Sequence, residues 1–239
     1  MERVDILAIG VHPDDVELGC SGTIAKHVAL GHKVGILDLT LGELGTRGSK
    51  EIRTKEAMTA AKILKVKFRK QLNLKDGFFE NGLKEKIEII KVLRATKPDI
   101  VLCNAPFDRH PDHGRAAQLT KEACFYSGLV KIKTKLKNKE QKPWRPKHVL
   151  HYIQDNYIDP TIVVDVTDFM RIKGEAIMAF SSQFYDPKSK EPETPISGQH
   201  FFEAVEAKMR LHGRLIGVRY GEGFVASNPL KIDDLTELV

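Results

Sequence analysis

The chain has 239 residues, 41% of them hydrophobic and 29% charged, enough for one sizeable core or two small ones and too apolar for a disordered chain. The net charge of +6 leaves nucleic acid, an anionic membrane or an acidic substrate open as partners, and only the clustering of charge can choose among them. No basic stretch with a long apolar run and small-residue cleavage site opens the chain, and no apolar run approaches the ~18 residues that cross a bilayer, so neither secretion nor a membrane partner is expected.

In chain order, "VDILAIGV" is nearly continuous in apolar residues and predicts a strand buried on both faces. Residues 18–30 predict a helix that Gly31 stops, and "KVGILDLT" a second strand, followed by the Gly-rich loop "LGELGTRG". Ser49 is placed to cap a helix over about 50–64, with Ile52, Ala57, Ala60, Ala61 and Leu64 as its apolar stripe. "FRKQLNL" predicts a weaker strand. Asn81 is expected to cap the next helix, with Leu83, Ile87, Ile90 and Leu93 facing inward and Pro98 ending it. "DIVLCNA" predicts a strand and 114–129 a helix.

The second half is less regular: strands at "HVLHYIQ" and "TIVVDV", a helix capped by Thr167 and reaching Phe180, a proline-marked loop, and a last helix over 199–216. The alternation predicts a Rossmann-like α/β fold, a mostly parallel sheet with helices on both faces and a site at the carboxyl ends of its strands. No repeat or linker divides the chain, so one domain over 1–239 is expected.

Cys20, Cys103 and Cys124 are odd in number and form no C-x-x-C pair, which predicts small buried residues in a reducing cytoplasm. Lysines 131, 133, 135, 137 and 139 alternate with few aromatics between them. This predicts a solvated loop or edge hairpin, with no nucleic acid as partner. The first βα turn lacks G-x-G-x-x-G, so a dinucleotide site is not supported.

That turn reads "HPDD", His12 to Asp15, and the strand at 99–104 runs into "FDRHPDHG", Phe107 to Gly114. Both turns belong at the same sheet edge. Singly, each has an ordinary reading, as a solvated histidine, a helix-capping acid or a proline turn. Together they offer imidazole nitrogen and carboxylate oxygen, the donors that zinc takes. His12 and Asp15 could reach one ion, with a histidine from 110–113 as third ligand. Asp14 or Asp112 is then left over as a general base.

With those motifs, "GVHPDDVELGCSGT", "RTKEAMTAA", "LNLKDGFF", "PDIVLCNAPFDRHPDHGRAA" and "GVRYGEGF" resemble the PIG-L-like (LmbE-like) zinc-dependent deacetylases of N-acetylglucosamine derivatives. "HPDDVELG" with "SGTI" and the late "RYGEGF" resemble the bacillithiol-biosynthesis branch, which acts on N-acetylglucosaminyl-malate. The resemblance implies His12, Asp15 and His113 as ligands of zinc, with iron(II) also suited, Asp14 as base and His110 as oxyanion stabiliser. It places Arg53 and Asp76 against the sugar, with Glu43 a weaker candidate, and it implies a homo-oligomer, a trimer or hexamer. Asp112 could orient a histidine. Many members put Glu directly after the second Asp; here Val16 intervenes, and Glu17 reads as a first-turn helix acid.

A malate aglycone calls for a guanidinium, and Arg109 beside His110 is the candidate, with Arg47 behind it. Two alternatives stand beside this reading. One is a zinc deacetylase of N-acetylglucosamine or chito-oligosaccharide; the other is a basic nucleic-acid-binding α/β domain using Lys131 to Lys147.

Overall fold

The computed structural model describes residues 2–238. In chain order its elements are β1 (Ile6–Gly10), α1 (Asp15–Ala29), β2 (Val34–Asp38), α2 (Lys50–Ile63), β3 (Phe68–Gln71), α3 (Leu83–Thr96), β4 (Ile100–Cys103) and α4 (Pro111–Ser127). There follow a small hairpin, β5 (Lys135–Leu136) and β6 (Lys139–Glu140), then β7 (His148–Tyr152), β8 (Ile162–Asp165), α5 (Met170–Met178), α6 (Phe201–Leu215) and β9 (Gly221–Ala226).

The main sheet has seven strands in the order β3-β2-β1-β4-β7-β9-β8. β3, β2, β1, β4 and β7 are parallel, and β9 runs antiparallel to both β7 and β8. The strand order reverses between β1 and β4. The loops after those two strands therefore leave the same crevice in opposite directions, the usual place for a ligand in such sheets. Alternation along β1 fills both faces: Leu7 and Ile9 join a cluster with Ile89, Leu93 and Leu119, while Ile6 and Ala8 join one with Val16, Ile24 and Ala176. Each fully buried Leu or Ile contributes ~1.5–3 kcal/mol of transfer free energy.

Several local expectations need correction. The first helix begins at Asp15 rather than 18, and the fourth at Pro111 rather than 114, because both motif turns run straight into their helices. Ser49 does cap α2, accepting from the Ile52 amide at 3.3 Å, but the Ile52 side chain is 45% exposed. Gly82, not Asn81, is the N-cap of α3, and Leu83 faces solvent at 74% exposure; Asn81 instead donates to Glu122 at 3.0 Å. A 3-10 turn over Thr167–Phe169 precedes α5, whose N-cap is Phe169. β9, rich in glycine, was not foreseen as a strand. The lysine segment is an exposed hairpin turning at Lys137 and Asn138, both at positive φ, and all three cysteines are buried.

α1 is broken at Cys20, whose φ is −150°. The freed groups are recovered by a buried pair: Lys173 donates to the Glu17 and Leu18 carbonyls at 3.0 and 2.8 Å, and Glu222 accepts from the Gly22 and Thr23 amides at 2.9 and 2.6 Å. Lys173 and Glu222 meet at 2.8 Å. Beside the break, a Cβ on Gly19 would stand 2.3 Å from the Tyr152 ring, so only glycine allows this close approach of helix to sheet.

Glu17 does lie in the first turn of α1, but as a buried acid. It is fully buried and receives Arg69 Nη1 at 2.6 Å, while Arg69 Nε donates to Asp38 at 2.8 Å. Burial pushes the Glu17 and Asp38 carboxyls up, and Arg69 opposes that push.

Candidate active site

The chain leaves β1, turns at His12-Pro13, and enters α1 through Asp14, whose φ of 119° is a strained backbone for a non-glycine residue. Such strain persists only where the surroundings fix it, and here they do. Arg53 Nη2 donates to the Pro13 carbonyl at 2.6 Å and to Asp14 Oδ2 at 3.1 Å. Its Nη1 reaches the Gly42 carbonyl at 3.3 Å; Gly42 has φ +66°, and a Cβ there would lie 2.2 Å from that nitrogen.

Within the site, Asp15 is the most heavily held carboxylate among the described residues. Its Oδ2 accepts from the Val11 and His12 amides at 3.0 and 2.9 Å and from Asn104 Nδ2 at 2.9 Å. Its Oδ1 accepts from Gln154 Nε2 at 3.1 Å and faces His113 Nε2 at 3.2 Å. His12 Nδ1 lies 3.7 Å from Oδ2. These contacts and the two imidazoles hold the Asp15 carboxyl well below the usual range despite its burial.

The second motif arrives from the end of β4. His110 caps α4, its Nδ1 accepting the Asp112 amide at 3.2 Å. His113, in the first turn of α4, directs Nδ1 to Asp108 at 2.5 Å. The three imidazoles pack together, His110 at 4.7 Å from His12 and 5.2 Å from His113 between ring centres. His12 Nε2 faces Asp76 at 3.0 Å and Asp112 at 3.5 Å. Asp112 also accepts the Gly77 amide at 2.9 Å and Arg115 at 2.8 Å.

The electrostatics follow from this crowding. Burial lowers the basicity of His12 and His113, but the carboxylates around them win and raise them to about 10 and about 9. Burial pushes Asp14 up to about 7 against the opposing pull of Arg53. His110 moves down, through burial and the charges on His12 and His113.

Donor atoms of His12, His110 and His113 lie within 4.8 Å of one another, as do those of His12, Asp76 and Asp112. Asp15 touches both His12 and His113. This set fits a divalent cation of the zinc type: the donors are imidazole and carboxylate, and the extra protons that the acidic surroundings hold on the two rings are what such an ion would displace.

A cavity of about 660 Å³ opens over the cluster, within the range of small-molecule sites. His12, Asp14, Asp15, Arg53, Asp76 and His113 line it, together with the apolar Leu18, Ile196, Phe201, Val205 and Leu211. Arg109 lines it too, ion-paired with Asp155. Glu43 does not line the cavity; its carboxylate accepts the Asp76 amide at 2.9 Å and so braces the loop. Arg47 is drawn away toward the Phe184 carbonyl at 3.3 Å and Ser189 at 2.7 Å. The residues that sequence reasoning missed are supports, Asn104, Asp108 and Gln154. Asp108 could have been noticed as the acid two residues before His110.

Residues 7–124 match the family model "PIG-L: GlcNAc-PI de-N-acetylase". The chain is 31% identical over 229 residues to the diacetylchitobiose deacetylase of Thermococcus kodakarensis, covering 91% of this chain and 81% of that protein. It is 28% identical over 196 residues to "Probable N-acetyl-alpha-D-glucosaminyl L-malate deacetylase 2" of Bacillus anthracis, covering 75% and 81%. Among solved structures, a conserved protein of Thermus thermophilus superposes with a TM-score of 0.85 at 33% identity, over 97% of this chain and 98% of that one. The chain belongs to the PIG-L (LmbE-like) deacetylase family and is a hydrolase acting on an amide bond.

Proposed function

We propose that the chain removes the acetyl group from an N-acetylglucosamine unit carrying an uncharged extension, such as the end of a short chito-oligosaccharide. The observation that carries the deacetylation is the pairing of two adjacent acids: Asp15, held by four hydrogen bonds between His12 and His113, and Asp14, held by Arg53. The likeness to a diacetylchitobiose deacetylase, longer and higher in identity than that to the malate enzyme, supports the neutral extension over the malate conjugate expected from the motifs.

His12, Asp15 and His113 would hold the metal, zinc or iron(II), which when bound supplies Lewis-acid polarisation of the acetyl carbonyl and of water. Asp14, raised to about 7, is matched to taking a proton from the attacking water and returning it to the departing amine. Arg53 fixes the carboxylate that does so. Burial pushes the His110 ring down, which favours its neutral form. Because its Nδ1 accepts the Asp112 amide, the ring proton sits on Nε2, where it can donate to the developing oxyanion. Asp76 and Arg53 would bind sugar hydroxyls, a reading supported by their position on the cavity wall.

The test is amine release by metal-loaded protein from N-acetylglucosamine, diacetylchitobiose and N-acetylglucosaminyl-malate. Diacetylchitobiose should give the highest kcat/KM, and release from none of the three would overturn the reading. A homo-oligomer, trimer or hexamer, belongs to the same proposal and is checked by sedimentation equilibrium.

A further inference from the structure

Among the described residues, three Arg or Lys side chains line the cavity: Arg53, Arg109 and Lys208. Each is already engaged. Arg53 holds Asp14 and two carbonyls, Lys208 Nζ donates to the Gln154 carbonyl, and Arg109 Nε donates to Asp155 Oδ2. Asp155 directly follows Gln154, whose side chain holds Asp15, so its place is set by the scaffold of the site. Next to Arg109, the Asp108 carboxylate is committed to His113 and the Asn156 amide.

An anionic extension of the sugar entering beside Arg109 would meet a guanidinium whose charge Asp155 already balances, with Asp108 adjacent. Bidentate capture would require Asp155 to leave. Of the other lining residues, Ile196, Phe201 and Leu211 are apolar, and Lys208 on α6 is already committed to the Gln154 carbonyl. A pyranose meets no such obstacle, since its hydroxyls can accept from the remaining Arg109 N–H groups and donate to the second Asp155 oxygen with the pair intact.

We propose that Asp155 is a specificity-determining residue: by neutralising Arg109 it admits an uncharged second sugar and turns away a dicarboxylate extension. This rests on the deacetylase reading above. The two side chains are 48% and 37% exposed, so the pair adds little to stability and its replacement should not unfold the chain.

The experiment compares wild type, Asp155→Asn, Arg109→Ala and the double variant. Diacetylchitobiose is the neutral substrate and N-acetylglucosaminyl-malate the anionic one; both are followed by kcat/KM. Binding of the malate conjugate to metal-free protein is measured by calorimetry. Asp155→Asn should raise the anionic-to-neutral ratio of kcat/KM about tenfold and tighten malate-conjugate binding by a similar factor, since it frees a charge partner. Adding Arg109→Ala should cancel both gains. An unmoved ratio in Asp155→Asn, or a gain that survives in the double variant, overturns the assignment. Turnover of both substrates with an unmoved ratio removes Asp155 alone; a wild type that turns over neither removes the deacetylase reading and this inference with it.

Discussion

Two clusters of buried charge meet along α1, and they are built to opposite plans. In the first, Arg69 spends its donors on Glu17 and Asp38, with Gln71 adding a bond to Asp38 at 3.2 Å, and none of these residues lines the cavity. In the second, His12, Asp14, Asp15, Asp76 and His113 face the cavity, and the surplus of acid is balanced by protons held on imidazoles. Both hold buried carboxylates beside a cationic partner. What separates structure from chemistry is whether the partners close on one another or converge on open space.

The comparison breaks first at the ligands. His113→Ala and Asp15→Ala should each lose metal and activity together, read by metal content and amine release; metal retained at wild-type stoichiometry would remove that residue from the ligand set. The closed cluster should respond in stability instead. Arg69→Met leaves two buried carboxylates unpaired and should cost about 3–5 kcal/mol in urea unfolding, while folded molecules still bind metal. A loss below about 1 kcal/mol would mean that the cluster is wetter than its burial implies.

The first of these clusters was invisible in the sequence, and the reason is physical. Glu17, Asp38 and Arg69 come from three elements, and a charged residue reads as solvated until its partner is known. The same holds for Lys173 and Glu222, which complete a helix broken at Cys20. The open cluster was legible because two strands carry near-identical His-Pro-Asp turns, and the β1/β4 order reversal brings strand ends together. Its supports were not: Asn104 and Gln154 are single polar residues after β4 and β7, with no spacing to mark them. Leu83 and Ile52 fit helical periodicity yet face solvent, because each lies in the first turn of its helix.

A smaller effect separates chemistry within the open cluster. His110→Ala should keep the metal and lower kcat about 10²–10³-fold, the scale of a removed oxyanion donor. An unchanged kcat would reduce His110 to a helix cap.

Smaller still is a pH effect on the metal-free protein. His12 and His113 rise from 6.5 to about 10 and about 9, so their folded forms bind protons more tightly than the unfolded chain does. The stability they contribute is fully present below about pH 6.5 and is lost as pH rises through about 9–10. The melting temperature of metal-free protein should therefore fall over that window, with a shallower fall in metal-saturated protein, where the protons are already displaced. Equal slopes with and without metal would contradict the protonated pair.

The central claim is that adjacent acids have divided the work, Asp15 as ligand and Asp14 as base. The most direct measurement is metal content and kcat of Asp14→Asn, made beside Asp15→Ala. The account predicts wild-type metal stoichiometry in Asp14→Asn with kcat down about 10²–10⁴-fold, the scale of a lost general base. Metal lost from Asp14→Asn as completely as from Asp15→Ala would contradict it.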